Sequence, residues 1–569
     1  MEKRVNVILV VFLFLMAGLC AKAFHLQVLK AEDVISRAYR KFEHSVNLSP
    51  SRGIIYDRRG HPLAISLDVK SIAANPRLIK DHNDASVKLA RALDMDRSYI
   101  RKRLGEGKYF AWIKRQATPD EIKAVEDLKI KGIGFFNEKK RFYPESEALS
   151  NILGFVGVDG NGLEGLELQY DHVLKGMPKH IEVEKDGLGR IICAQGVKPD
   201  VNDSKDGNSL GLTIDKRLQY ISYAFIKDAV ESNNAKGGFV IITNPHTGEI
   251  YSMASYPGFD PNIGSYRNLS GHHNRAITDV FEPGSVVKPI WVAWGLDTNY
   301  LNASQSVFCE NGAYKFHHST INDHEGKGWL TVSEVVKYSS NIGMVKLFSP
   351  VDTSRLYNCL KAFGFGSPTG IDFPGEPAGL VRNPKCWRMI DKATMAFGQG
   401  FAITGIQLIT AFNSLVNGGV IIRPHFIDYI SDPTGRVSKY QPQILRKVMS
   451  EKTSEEIVDI MKTVVLKGGT GEAAGMNNYT VFGKTGTAQK VDPLTRSYSA
   501  GAHVSSFIGG IMDSSGKPVM TMLVCIDEPH PYYYASIVTC PVFKNIAMQC
   551  TNIMDMRPII TLAKEGGRG

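Results

Sequence analysis

A chain of 569 residues is too long for one hydrophobic core, so two or three domains are expected. Its apolar content of 43% and charged content of 22% are those of ordinary globular protein and exclude a disordered class. The net charge of +10 is moderate, and with no zinc-finger spacing, RNA-binding signature or long basic run it does not point to nucleic acid; it suits either a well-solvated surface or an anionic partner such as a membrane face.

Lys3 and Arg4 precede an apolar stretch from Val5 to about Ala21, broken only by Asn6. That length is the lower limit for a spanning helix. Ala21-Lys22-Ala23 loosely resembles a signal-peptidase site. The run is longer than a usual signal core, however, and Phe24, Leu26, Val28 and Leu29 extend its apolar face, so an uncleaved single-pass anchor is favoured. The basic pair would stay cytoplasmic, with everything after about residue 25 outside the membrane.

Ser51 to Gly60 alternates apolar residues and ends in a turn signal, which predicts a strand and hairpin. Asp84 to Leu104 has helical spacing. Arg141 to Pro144, Leu153 to Gly157 and Gly162 to Glu167 read as glycine-punctuated loops and short elements. Val201 to Ser209 is polar and aperiodic, a linker before a second domain that begins near Leu210. There Leu212 to Ile214 predicts a short strand and Lys216 to Ser232 an amphipathic helix. Gly238 to Ile242 and Glu249 to Ala254 flank Asn-Pro-His-Thr-Gly248, a hairpin. Further strands are expected at Ser505 to Met512 and Val519 to Ile526, with mainly helices between the two strand groups. Strands at both ends and helices between predict an antiparallel sheet packed by helices, an α+β fold.

Three motifs carry the chemistry: Ser285-Val-Val-Lys288, Ser339-Ser-Asn341 and Lys484-Thr-Gly-Thr487. In this order they match the S-x-x-K, S-D-N and K-T-G set of penicillin-interacting enzymes, with Ser340 in place of the middle Asp. Ser514-Ser-Gly-Lys517 also fits the first pattern, but it lies between apolar runs and reads as a hairpin turn; Ser45-Val-Asn47 fits the second but lacks context. Glu282-Pro-Gly-Ser285 predicts a helix start, with Lys288 on the same face three residues on. A serine hydroxyl needs an adjacent base. Lys288 can be that base if burial and a neighbouring cation, Lys484, lower its pKa. Ser339 could relay a proton to a leaving amine, and Asn341 could hold the substrate amide and Lys288. Gly483 and Gly486 leave room for a peptide backbone, Lys484, Thr485 and Thr487 suit a substrate carboxylate, and the N–H groups of Ser285 and Thr487 could form an oxyanion hole.

His272, His273, His317, His318, Asp323 and His324 invite a metal hypothesis, but no helical ligand spacing supports one, and they are read as loop residues. The eight cysteines include no C-x-x-C pair, which leaves a zinc or thioredoxin-type site unsupported and any disulfide pairing open.

The chain resembles the class B penicillin-binding proteins, of the division-specific, penicillin-binding protein 3 type. The resemblance runs from the anchor to Pro541-Val-Phe543 and rests on Asn274 to Pro289, Tyr338 to Gly343, Phe397-Gly-Gln-Gly400 and Gly483 to Gln489, with Arg52-Gly53, Asp57-Arg58 and Gly162-Leu-Glu-Gly165 similar to the family's pedestal domain. Arg59 and Val286 depart from the commoner Asn and Thr. The resemblance implies an anchor over 1–24, a pedestal or dimerisation-type domain over 25–205, a penicillin-binding transpeptidase domain over 206–560 and a tail over 561–569. It implies a peptidoglycan D,D-transpeptidase in which Ser285 attacks the D-Ala-D-Ala bond of a donor stem peptide and an acceptor amine takes the acyl group. β-Lactams would mimic the donor. No cofactor is implied; the implied partners are a polytopic septal glycan polymerase and other division proteins. The competing expectations are an elongation-type transpeptidase and a β-lactam sensor or idle division scaffold.

Overall fold

The N-terminal apolar stretch forms one helix, α1 (Glu2–Phe24), in the computed structural model, which describes residues 2–25, 30, 43–48, 50–106, 109–177, 179–185, 191–193, 206–263, 271, 273–491 and 497–558. Over Val7–Phe24 it is long and apolar enough to cross a membrane, and it is the one such helix among the described residues. The chain divides into two units. The first, residues 1–52 and 175–207, holds α1 and a three-stranded antiparallel sheet of Glu43–Leu48, Lys179–Lys185 and Ile191–Cys193. Ser45 and Asn47 lie in the first of these strands. Most of the expected linker, 201–205, lies outside the described residues.

The second unit comprises residues 53–174 and 208–569. It opens with β1 (Ile55–Tyr56) and β2 (Pro62–Ala74), the expected hairpin. Asp57 closes its turn by accepting the N–H groups of Arg59 and His61 at 2.9 and 2.8 Å. β3 (Ala111–Ala117) and β4 (Ile133–Phe142) flank β2. The stretch expected as one helix forms two, His82–Leu93 and Arg97–Glu106. Asp94 is left-handed (φ 48°) and ends the first, and the Asp96 carboxylate takes the Tyr99 N–H at the start of the second.

β5 (Ser209–Leu212) lies two to three residues earlier than expected. Its position is set by long-range pairing: it runs parallel to β1, with Ile55 opposite Leu210, and antiparallel to the strand Ile427–Ser431. One seven-stranded sheet therefore contains strands from both segments of the unit. α2 (Lys216–Ser232) follows, capped by Asp215, whose carboxylate accepts the Arg217 N–H. β6 (Gly237–Thr243) and β7 (Ile250–Tyr256) form the expected hairpin.

The intervening helices include α3 (Lys288–Asp297), α4 (Val332–Lys337), α5 (Asn341–Phe348) and α6 (Gly405–Val416). The chain then returns as β8 (Val481–Val491), β9 (Tyr498–Met512) and β10 (Pro518–Asp527), and ends in α7 (Ala535–Ile553). The Ser514 segment is the β9–β10 turn, closed by Asp513. The strand order is β7-β6-β10-β9-β8, antiparallel throughout.

Alternation along these strands separates two cores. Val240, Ile242, Val524 and Ile526 pack with Ile226 of α2 and Phe543 of α7. Phe239, Ile241, Leu523 and Cys525 face the opposite way, with Leu408 and Phe412 of α6. With both faces covered, β8 remains as an edge strand, and that edge carries the Lys484 motif.

Candidate active site

Ser285 sits in a single 3-10 turn, Gly284–Val287, that runs into α3. The α-helix thus begins at Lys288, three residues later than the proline–glycine signal suggests. Gly284 is left-handed (φ 60°) and donates its N–H to Gly398 O at 2.9 Å. A Cβ on Gly398 would stand 2.0 Å from Gly284 O, so only glycine lets the Phe397–Gly400 segment buttress this turn. Glu282 ties the same region together, accepting Gly400 N–H at 2.9 Å and the Tyr498 hydroxyl at 3.1 Å. Burial pushes its carboxyl up.

Lys288 is fully buried. Its Nζ donates to Ser339 O at 2.6 Å, to Asn341 Oδ1 at 2.8 Å and to Ser339 Oγ at 3.3 Å. Lys484, also fully buried, donates to the same Ser339 Oγ at 2.8 Å and to Thr485 O at 3.1 Å. One serine hydroxyl therefore joins the two lysines. Burial drives Lys288 down to about 7, against a partial restoring effect of Asp323. Burial, and then the proximity of Lys288, hold Lys484 well below the ordinary lysine range. No side-chain hydrogen bond joins Ser285 to Lys288 among the described residues.

Local backbone chemistry explains how Ser339 reaches both. α4 has a Thr331–Glu334 capping box and ends at Tyr338. Ser339 then adopts a left-handed conformation (φ 59°), which turns its carbonyl onto Lys288. Ser340 caps α5 by accepting the Gly343 N–H at 2.9 Å. Asn341 is the first residue of α5, and its Nδ2 donates to Asn322 O at 3.1 Å.

Ser285, Asn341 and Thr487 open onto one cavity of about 370 Å³, with Asn322, Phe397, Gln399, Gln489 and Tyr498 around them. Thr485 does not line it: this residue is buried and its hydroxyl meets Thr470 Oγ1 at 2.8 Å. Gly486 has a packing reason that its sequence context does not reveal. A Cβ there would stand 2.5 Å from Ser506 Oγ and 2.7 Å from Val286 Cγ1, so the glycine lets the nucleophile's turn seat against β8.

Two participants were not legible as such. Asp323 reads in the sequence as a loop residue beside the histidines, yet its carboxylate accepts the N–H groups of Asn341 and Ile342 and the Ser340 hydroxyl. Glu282 reads in the sequence only as the approach to a helix. Of the histidines, His317 and His318 form the turn between strands Ala313–Phe316 and Ser319–Asn322, His324 stacks edge-on against Tyr534, and His273 pairs with Asp279 at 2.9 Å; His272 lies outside the described residues. No group of three metal-ligating side chains occurs among the described residues. Seven cysteines, Cys20, Cys309, Cys359, Cys386, Cys525, Cys540 and Cys550, are free thiols.

Residues 238–548 match the penicillin-binding protein transpeptidase domain, and residues 47–212 match the penicillin-binding protein dimerisation domain. The chain is 33% identical over 565 residues to the peptidoglycan D,D-transpeptidase FtsI of Escherichia coli K12, an alignment covering 96% of this chain and 91% of that protein. It is 31% identical over 545 residues to the stage V sporulation protein D of Bacillus subtilis, covering 94% of this chain and 83% of the other. Among solved structures, penicillin-binding protein 3 of Mycobacterium tuberculosis, complexed with ampicillin, shares the fold with a TM-score of 0.71 at 23% identity, covering 91% of this chain and 98% of that one.

Proposed function

This chain belongs to the penicillin-binding protein transpeptidases, and from that premise we propose that it cross-links peptidoglycan stem peptides at the division septum through an acyl-Ser285 intermediate. The observation that carries the reading is the pair of buried lysines joined through Ser339 Oγ beneath a cavity onto which Ser285 opens.

The chemistry follows from donor and acceptor counts. A neutral Lys288 amine has two N–H bonds, matched by its two shortest acceptors, Ser339 O and Asn341 Oδ1, and one lone pair for a proton. Near neutral pH that lone pair is available. Ser285 Oγ attacks the carbonyl carbon of the penultimate D-Ala while its proton passes to Lys288 Nζ. Backbone N–H groups of Ser285 and Thr487 are assigned to the oxyanion. Once Lys288 has taken that proton, Ser339 Oγ accepts from both lysines and its own O–H is free to donate. Its proton goes to the departing nitrogen as the C–N bond breaks, and a lysine ammonium replaces it. The terminal D-Ala leaves as the neutral amine and an ester remains on Ser285. An acceptor amine then attacks this ester, loses a proton through the same relay, and the ester C–O bond breaks to restore the serine. Thr487, which lines the cavity, is assigned to the substrate carboxylate, an anion whose arrival favours the charged form of Lys484.

The remaining assignments follow the same reading. α1 would anchor the chain in the cytoplasmic membrane with Lys3 and Arg4 inside. Residues 25–205 would form the pedestal and 206–560 the transpeptidase domain, with a glycan polymerase and other division proteins as partners. β-Lactams would acylate Ser285. The full-length protein in detergent, incubated with benzylpenicillin and mapped by mass spectrometry, should carry one stable adduct on Ser285 that is absent from Ser285→Ala. Rapid release of penicilloate would point to hydrolysis instead. In the native host, Ser285→Ala as the sole copy should arrest septation; normal division would favour the scaffold reading, and a loss of lateral-wall growth the elongation reading.

A further inference from the structure

The second motif lacks the carboxylate that its usual form carries at the middle position, where Ser340 stands. A carboxylate nevertheless reaches this loop from elsewhere in the chain. Asp323 Oδ1 accepts the N–H groups of Asn341 at 2.5 Å and Ile342 at 3.0 Å, and its Oδ2 accepts the Ser340 hydroxyl. Asp323 is itself held by its N–H to Gly312 O at 3.1 Å, and the neighbouring Asn322 O takes the Asn341 Nδ2. This second bond fixes which end of the Asn341 carboxamide faces Lys288.

We propose that Asp323 is the positioning residue of this site: it supplies from a separate hairpin the carboxylate missing from the motif, and so holds Ser339 O, Ser339 Oγ and Asn341 Oδ1 converged on Lys288 Nζ. The inference rests on the acyl-Ser285 reading above. A left-handed Ser339 costs conformational energy and persists only when its surroundings fix it. Three bonds from one carboxylate to the next three residues provide that fixation. The charge has a second effect. The titratable groups facing Lys288 are Lys484 from β8, the Cys309 thiol and Asp323. Burial raises the thiol, which stays neutral, so Asp323 is the anion that offsets the loss of hydration around Lys288.

The test compares Asp323→Ala and Asp323→Asn with the parent in full-length, detergent-solubilised protein. The second-order rate of Ser285 acylation by a fluorescent penicillin is followed over about pH 5.5–9 beside thermal melts. Asp323→Ala should acylate roughly 10²-fold more slowly at every pH, the scale expected for a displaced catalytic group. Asp323→Asn keeps the acceptor for both N–H groups and should recover most of that rate. Having lost the charge, it should show the rising limb of its profile about half to one pH unit lower. Unchanged rates and an unmoved midpoint in both variants, even with lowered melting temperatures, would reduce Asp323 to a structural residue and overturn the proposal. If Asp323→Ala fails to fold, the Asp323→Asn midpoint decides. If the parent itself forms no Ser285 adduct, the reading of the site is lost rather than the placement of Asp323.

Discussion

Among the places where the second unit buries charge, two do so in opposite ways. Within its early segment, Arg141 and Glu167 form a buried ion pair, with Nε to Oε1 at 2.6 Å and Nη1 donating to Gly53 O at 2.8 Å. There opposite signs meet in direct contact. Beneath Ser285, two lysines are buried within reach of one hydroxyl, with neutral oxygens as hydrogen-bond acceptors and Asp323 one shell away. Like signs under those conditions favour the neutral form. The same desolvation therefore serves adhesion in one region and a titratable base in the other.

The sharpest way to break this comparison is to remove the base. Lys288→Met should lower the rate of penicillin acylation roughly 10³-fold, within the range for loss of general base catalysis. Parent protein should acylate tenfold faster per pH unit up to about 7 and then level off, because only the neutral amine accepts a proton; the variant should lack this limb. Stability should move the other way. With a folded pKa of about 7 against an ordinary 10.5, the cost of burying Lys288 is full below pH 7 and vanishes as pH rises towards 10.5. Below pH 7, Lys288→Met should therefore melt no lower than the parent. At the ion pair, Glu167→Ala should cost about 3–5 kcal/mol by leaving a guanidinium buried alone, read from denaturant curves, with the acylation rate of the folded fraction unchanged. The smallest effect belongs to Tyr170→Phe, which removes the hydroxyl that donates to buried Asp372 at 3.1 Å. Asp372 keeps the Phe426 and Ile427 N–H groups, so about 1 kcal/mol should be lost, again with acylation intact.

What could be read ahead of the structure was what repeats locally. The β6–β7 hairpin, α2, the β9–β10 turn and the three motifs announce themselves by periodicity, turn residues and spacing. What escaped depends on partners far along the chain. The start of β5 is dictated by β1 and the strand Ile427–Ser431 rather than by its own apolar run. Asp94 divides a stretch whose helical spacing is continuous because spacing is blind to a left-handed residue. Ser340 looked like a lost carboxylate and is a helix cap, while Asp323 looked like a loop acid and is that carboxylate's source. Thr485, expected in the cleft, turns its hydroxyl to Thr470.

The pairing of β1 with β5 bears on how this protein can be handled. The two strands lie about 155 residues apart in sequence yet are neighbours in one sheet. A fragment beginning after residue 205 would keep every motif residue but present β5 with its β1-facing row of backbone groups bare. Such an edge recruits other chains. Excising the catalytic half alone should thus yield aggregates, whereas a soluble form that retains residues from Ser51 onward keeps β5 paired with β1.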